Sequence, residues 1–230
     1  MNVSHFDPIM ELMINFSKHI ANLPILYSFR RCPYAMRTRL SLVSSKVNVE
    51  LREVVLREKP YDFLRVSLSA TVPCLVIDNK VIDESLDIMI WALNKNDPEN
   101  WLDMPCEGYD LIKESDGPFK NALDEIKYAS RHPDIDLNES RKVACRFLFK
   151  LETMLTESYL FGEKSTLADF SILPFIRQFA NVDITWFNKQ PWPKLQHWLN
   201  HFITSNRFQQ IQSKYPQWKV NDNITIFPES

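Results

Sequence analysis

Among its 230 residues the chain has only three glycines, Gly108, Gly117 and Gly162, far too scattered for a glycine-rich phosphate loop. P-loop and dinucleotide-fingerprint chemistry is thereby excluded, since both need clustered glycines to bring backbone N–H groups onto phosphate. Its four cysteines, Cys32, Cys74, Cys106 and Cys145, include no Cys-x-x-Cys pair. Zinc-site spacing is absent, and so is the density of a disulfide scaffold. A formal net charge of −2 gives no hint of a nucleic-acid surface. No apolar run approaches the ~20 residues of a membrane-spanning helix. Asp7, Glu11 and Lys18 interrupt the apolar positions near the N-terminus, unlike a signal peptide. The expectation is a cytoplasmic chain with reduced thiols, no metal and no membrane or nucleic-acid partner.

What is present is an ordinary globular composition, 45% hydrophobic and 24% charged, long enough for two domains. The stretch around which the chain is organised is Leu26-Tyr27-Ser28-Phe29-Arg30-Arg31-Cys32-Pro33-Tyr34-Ala35-Met36-Arg37. A β-branched and aromatic run ends in Cys-Pro, and a helix-forming segment follows at once. Pro33 suits the first helical position, having no N–H to leave unpaired. Cys32 then meets free backbone N–H groups and the positive end of the helix dipole. That setting, with Arg30, Arg31 and Arg37 nearby, predicts a thiolate with its pKa lowered from roughly 8.5 into about 3.5–7.5. By itself such a cysteine is more often a small buried hydrophobe, and what raises the reading is the rest of the chain.

Residues 1–22 carry Phe6, Ile9, Met10, Met13, Ile14 and Phe16 at near-helical spacing, which predicts an extra helix packed on the domain. Its polar positions are too few, and not basic enough, for a membrane-surface helix. From 23 to 96 the pattern alternates. Ile25–Phe29 reads as a strand, Pro33–Ser45 as a helix, Val49–Leu56 as a strand and Tyr61–Val66 as a short helix. Pro73–Asp78 and Lys80–Asp83 read as a hairpin turning near Asn79, and Ser85–Asn94 as a helix. A mixed four-stranded sheet with helices on its faces follows. Asn96-Asp97-Pro98-Glu99-Asn100 is polar, and residues 97–105 read as the linker. Over 106–230 helices are predicted at Tyr109–Ser130, Asn138–Ser158, Ala168–Asn181, Lys194–Ser205 and Phe208–Lys214, with no strand pattern before the tail. Thr166-Leu167-Ala168-Asp169 has the form of a capping box, which makes Asp169 a structural cap.

Four features in this order and spacing resemble the cytosolic glutathione transferase superfamily, over roughly residues 24–215. Cys32-Pro33-Tyr34-Ala35 is similar to a glutaredoxin-type Cys-Pro-Tyr start, with Ala35 in place of a second cysteine. Thr71-Val72-Pro73 stands where the family has its cis-proline, Glu84-Ser85 opens the third helix, and Ser165–Phe170 followed by Pro174 looks like the family's capping segment. Within the superfamily the chain looks most like the cysteine-type, omega-like members and their bacterial relatives. The resemblance implies a thioredoxin-like domain (23–96), an all-helical second domain and glutathione as co-substrate. The family's members are usually homodimers. Cys32 would be the thiolate nucleophile, supported by Pro33, Tyr34 and Pro73. Lys59, Val72, Glu84 and Ser85 would hold glutathione: Val72 by strand-like hydrogen bonds, Ser85 at a helix N-terminus, Glu84 at the α-amino group and Lys59 at the glycyl carboxylate.

The sequence departs from the family before the third strand, where Ser67-Leu68-Ser69-Ala70-Thr71-Val72-Pro73 lacks the usual Pro and Gly; Ala70 takes a positive φ poorly. The resemblance implies chemistry through a mixed disulfide of Cys32 with glutathione, completed by a second glutathione: thiol transfer, removal of glutathione from mixed disulfides, or reductions such as that of dehydroascorbate. Alternatives are conjugation of electrophiles, with Tyr27 and Ser28 as donors, and a binding module without activity. The acceptor would lie against Tyr109, Phe119, Leu123 and Tyr128, and the other three cysteines would be packing residues.

Overall fold

The computed structural model describes residues 23–78, 80–131 and 134–229. The helix expected within 1–22 and the hairpin turn at Asn79 lie outside these residues. Strand β1 (Ile25–Ser28) leads into helix α1 (Pro33–Ser45), with Cys32 at its N-cap and Pro33 in its first turn. Helix α1 stops at Lys46, whose φ of 56° is the left-handed cap that releases the chain into the next strand. Strand β2 (Val49–Glu53) alternates, burying Val49, Leu51 and Glu53. Helix α2 (Tyr61–Val66), strands β3 (Cys74–Ile77) and β4 (Lys80–Ile82), and helix α3 (Ser85–Lys95) complete the first half.

The sheet order is β4-β3-β1-β2-β5, with β1 parallel to β2 and antiparallel to β3. The sheet therefore has a fifth strand beyond the four expected. Strand β5 (Ile226–Phe227) comes from the C-terminal tail and pairs antiparallel with β2, placing Phe227 opposite Val49. A run of two residues is too short to show alternation in sequence. What holds it is local: Phe227 is buried, and the Trp218 N–H donates to the Glu53 carbonyl at 2.9 Å. The Arg52 guanidinium lies 4.2 Å from the Trp218 ring centroid. The tail thus covers an edge that β2 would otherwise leave open.

The second half is helical until that tail: α4 (Glu107–Glu114), α5 (Lys120–Lys127), α6 (Leu137–Met154), α7 (Leu167–Ala180), α8 (Ile184–Phe187), α9 (Pro193–Thr204) and α10 (Asn206–Ile211). The continuous helix expected over 109–130 is interrupted by a π-helical turn at Ser115–Phe119. Pro118 has no N–H to donate to the carbonyl one turn back, so the helix widens there. Helix α7 begins with the expected capping box: Asp169 accepts from the Thr166 N–H and hydroxyl, each at 2.8 Å, and from the Leu160 N–H at 3.0 Å. Helix α8 was not expected; it is a four-residue turn capped by Asp183. Met36 and Leu40 of α1, Met89 of α3 and Ile172 and Phe175 of α7 share one buried cluster, so the halves are packed through a common core. The connecting segment, expected as a polar linker, also carries Trp101, which is buried and stacks on Phe170 with centroids 4.2 Å apart, and Leu102 and Met104, which pack against the same core.

Candidate active site

The turn between β1 and α1 is fixed from below. The Arg30 N–H donates to Glu53 at 2.8 Å, and the Cys32 N–H donates to the Phe29 carbonyl at 2.9 Å. Glu53 is ion-paired with the buried Arg39, whose Nε donates to Ser28 Oγ at 2.9 Å. Cys32 is left half-buried at the N-terminus of α1, with its thiol 3.5 Å from the Val72 carbonyl oxygen.

Burial pushes the Cys32 thiol above its ordinary value. The backbone N–H groups of Ala35 and Tyr34 and the charges of Lys120 and Arg37 pull the other way without prevailing. This corrects the expectation of a lowered pKa in the empty protein. Burial explains the difference, and the arginines do not offset it: Arg37 is committed to an ion pair, Arg30 turns toward the Gln212 carbonyl, and Arg31 is exposed. The charge that tells most on the sulfur is Lys120, from the second half of the chain.

Two clefts meet at Cys32. The first, about 540 Å³, brings together the residues expected to hold glutathione: Cys32, Lys59, Val72, Pro73, Glu84 and Ser85 all line it. The Val72–Pro73 peptide is cis, as the resemblance implies. Ala70 holds the left-handed conformation (φ 50°) that favours glycine. Hydroxyls secure this atypical loop: Ser67 and Ser69 donate to Asp83 at 3.1 and 3.2 Å, and Ser69 and Thr71 oxygens lie 2.8 Å apart.

Sequence reasoning missed the support beneath Ser85. The Arg37 Nε donates to Ser85 Oγ at 3.0 Å, and its two terminal nitrogens grip both carboxylate oxygens of Asp116 at 2.8 Å. Because Ser85 Oγ accepts from Arg37, its own proton is free to point into the cleft. Asp116 lies in the π-helical turn, so the widening at Gly117-Pro118 is the sequence signal that could have drawn attention to it.

The second cleft, about 480 Å³, is lined by residues from both halves. Of the four residues expected at the acceptor, only Tyr128 lines it. Phe119 and Leu123 are fully buried in the core and Tyr109 is exposed elsewhere, because the face of α5 turned to the cleft carries Lys120, Asp124 and Lys127. The donors expected for conjugation, Tyr27 and Ser28, line neither cleft; their hydroxyls accept from Arg52 and Arg39 at 2.8 and 2.9 Å. Tyr34 does reach both clefts, and burial raises its phenol to about 12. Burial likewise pushes the Cys74 thiol to about 12; Cys106 is exposed and Cys145 half-buried, and none of the three lines either cleft.

A thioredoxin-like domain with a thiol at a helix N-terminus, packed against a helical domain, defines the architecture. Residues 26–101 match the family model described as glutathione S-transferase, N-terminal domain, and residues 124–206 match the C-terminal domain of the same family. Together the matches span well over half of the chain, which belongs to the glutathione transferase superfamily. Among curated relatives it is 29% identical over 147 residues to glutathione S-transferase DHAR2 of Arabidopsis thaliana, covering 62% of this chain and 64% of that protein. It is 23% identical over 184 residues to glutathione S-transferase omega-1 of Sus scrofa, covering 76% and 74%. Among solved structures, a glutathione transferase family member from Pseudomonas fluorescens, with two glutathione bound, superposes with a TM-score of 0.72 at 17% identity, covering 83% of this chain and 92% of that one. Glutathione transferase Omega 3C from Trametes versicolor superposes at 0.68 with 15% identity, covering 87% and 96%.

Proposed function

We infer that this chain is a cysteine-type, omega-like glutathione transferase that works as a glutathione-dependent thiol transferase through Cys32. One observation carries the reading: the Cys32 sulfur sits where two clefts meet, 3.5 Å from the Val72 carbonyl, with Ala35 where a resolving cysteine would stand. Glutathione occupies the first cleft. Its γ-glutamyl carboxylate meets the N-terminus of α3 and the free Ser85 proton, and its α-amino group meets Glu84. Its cysteinyl backbone pairs with Val72 in strand fashion, and its glycyl carboxylate meets Lys59.

Val72 then has a second task. In the empty protein its carbonyl accepts from the neutral thiol, which favours the protonated form. A cysteinyl N–H taking that carbonyl removes the thiol's acceptor and releases Cys32 toward thiolate. The thiolate attacks the glutathionyl sulfur of a mixed disulfide, and the acceptor thiol leaves. Cys32 now carries glutathione, and with no second cysteine in its helix an external thiol must release it. Conjugation is the weaker reading, since Tyr27 and Ser28 line neither cleft.

Named relatives that are glutathione S-transferases, one of them of the omega class, support this assignment. A cytoplasmic homodimer is the context it implies. The test is Cys32→Ser. It should abolish reduction of a glutathione mixed disulfide while leaving retention on immobilised glutathione. Retained reduction would refute the role of Cys32, and lack of retention by the wild type would leave a binding module for another ligand.

A further inference from the structure

Between α10 and β5 the chain passes two loops of the first half and bonds to each. Gln212 and Arg30 exchange hydrogen bonds: the Gln212 Nε2 donates to the Arg30 carbonyl at 3.3 Å, and the Arg30 guanidinium donates to the Gln212 carbonyl at 3.5 Å. Arg30 lies in the turn that ends at Cys32. Beside Gln212, the Ile211 carbonyl accepts from the buried Arg39 at 3.3 Å, the arginine that is paired with Glu53 beneath that same turn. Further along, the Gln217 Nε2 donates to the Glu58 carbonyl at 3.3 Å. Glu58 stands next to Lys59 in the loop between β2 and α2, where its own N–H donates to the Val55 carbonyl at 2.9 Å. Leu56 of this loop lines both clefts, and Lys59 lines the first.

Aromatic anchors hold the segment against these loops. The Arg39 guanidinium lies 5.9 Å from the Tyr215 centroid, and Trp218, directly after Gln217, packs edge-on to Tyr27 at 6.2 Å. Each glutamine bonds a backbone carbonyl, so it restrains the path of a loop rather than one side chain. Neither glutamine lines a cleft, so neither meets a ligand. We propose that Gln212 and Gln217 are positioning residues, and that the C-terminal segment braces the two loops of the glutathione site against each other. Gln212 fixes the turn that carries the nucleophile, and Gln217 fixes the loop that carries the lysine for the glycyl carboxylate. This rests on the glutathione reading above. A brace of this kind sets the distance between Cys32 and Lys59, which a bound tripeptide has to span.

Methionine in place of glutamine keeps the length of the side chain and removes its amide. In Gln217→Met the affinity for S-methylglutathione, read by calorimetry, should fall about fivefold, the worth of one neutral hydrogen bond. Affinity for S-methyl-γ-glutamylcysteine, which lacks the glycyl residue, should stay at the wild-type value. The loss should disappear when Lys59→Met is already present, since the two changes act on one contact. In Gln212→Met both affinities should hold, while formation of the Cys32–glutathione mixed disulfide, timed by whole-protein mass at constant pH, should slow by a similar factor. A general loosening of the fold would instead weaken both ligands together. Equal losses for the two ligands in Gln217→Met, a loss that persists beside Lys59→Met, or wild-type behaviour in both variants would overturn the brace with glutathione binding intact. A wild type that neither binds S-methylglutathione nor forms the mixed disulfide would overturn the glutathione reading, and the brace with it.

Discussion

Replacing Asp116 with alanine tests the support beneath the glutathione cleft. The Arg37 side chain is 2% exposed and that of Asp116 27% exposed, joined by a two-pronged ion pair. Removing one partner of a fully buried pair costs about 3–5 kcal/mol, because the remaining charge is left uncompensated. Here the cost is lower, about 2–3 kcal/mol, since water that already reaches Asp116 can also reach the abandoned guanidinium. Asp116→Asn keeps one acceptor oxygen and should lose only about 1–2 kcal/mol. In a cycle with Arg37→Met the double variant should be less destabilised than the single losses sum to, by roughly 1–3 kcal/mol. Urea unfolding followed by fluorescence and by far-ultraviolet dichroism reads this, with coincident transitions and an unchanged slope as the check on cooperativity. The same variant should bind glutathione more weakly, because an unanchored Arg37 no longer holds Ser85 with its proton aimed into the cleft. Stability within ~0.5 kcal/mol of wild type, the scatter of ordinary surface substitutions, together with unchanged affinity, would refute this role for Asp116.

Ala70→Gly should raise stability by roughly 1 kcal/mol, seen as a higher melting temperature, because Ala70 sits at φ 50° where glycine carries no Cβ penalty. No gain would mean the hydroxyl ladder to Asp83 already removes the strain. Glu53→Ala strips the partner from Arg39, which is more deeply buried than Arg37, and unties the Arg30 N–H. It should cost about 3–5 kcal/mol, more than Asp116→Ala in the same urea titration. A smaller loss would show that water reaches Arg39. Burial raises the Cys32 thiol, so its neutral form is favoured in the folded state. That contribution to stability is present below the ordinary thiol value and is lost as pH rises through the folded one. Iodoacetamide alkylation of the empty protein at Cys32 should therefore have its midpoint above ~8.5, and S-methylglutathione, whose cysteinyl N–H takes the Val72 carbonyl on the proposed reading, should move it down. A midpoint below ~8.5 without ligand would contradict the account of burial.

The legible parts of this chain are those whose cause is local. Pro33 after Cys32 sets the start of α1, alternation marks the start of β2, and Thr166 with Asp169 marks α7; these starts stand where the sequence places them to within a residue, while β2 ends at Glu53 rather than Leu56. The line of residues expected around glutathione also comes together in one cleft, because Cys32, Val72 and Ser85 each stand at an element end on the same side of the sheet. What escaped depends on distant partners. Nothing near Ile226-Phe227 says that β2 has an open edge to offer. The pairing of Arg37 with Asp116 spans 79 residues of sequence, so Arg37 read as a free charge beside the thiol. The pKa of Cys32 was misjudged for the same reason: the helix N-terminus is visible in sequence, whereas the desolvation that outweighs it comes from packing across both halves. Phe119 and Leu123 face the core rather than the acceptor cleft because the π-helical turn sets the rotation of α5.

The central claim is that Cys32 alone carries glutathione during turnover. Whole-protein mass after treatment with oxidised glutathione, followed by peptide mapping, reads it directly. The account predicts one added glutathione, about 305 Da by the arithmetic of disulfide exchange, located at Cys32 and absent from Cys32→Ser. An unmodified protein, or a glutathione placed on Cys74, Cys106 or Cys145 instead, would contradict it.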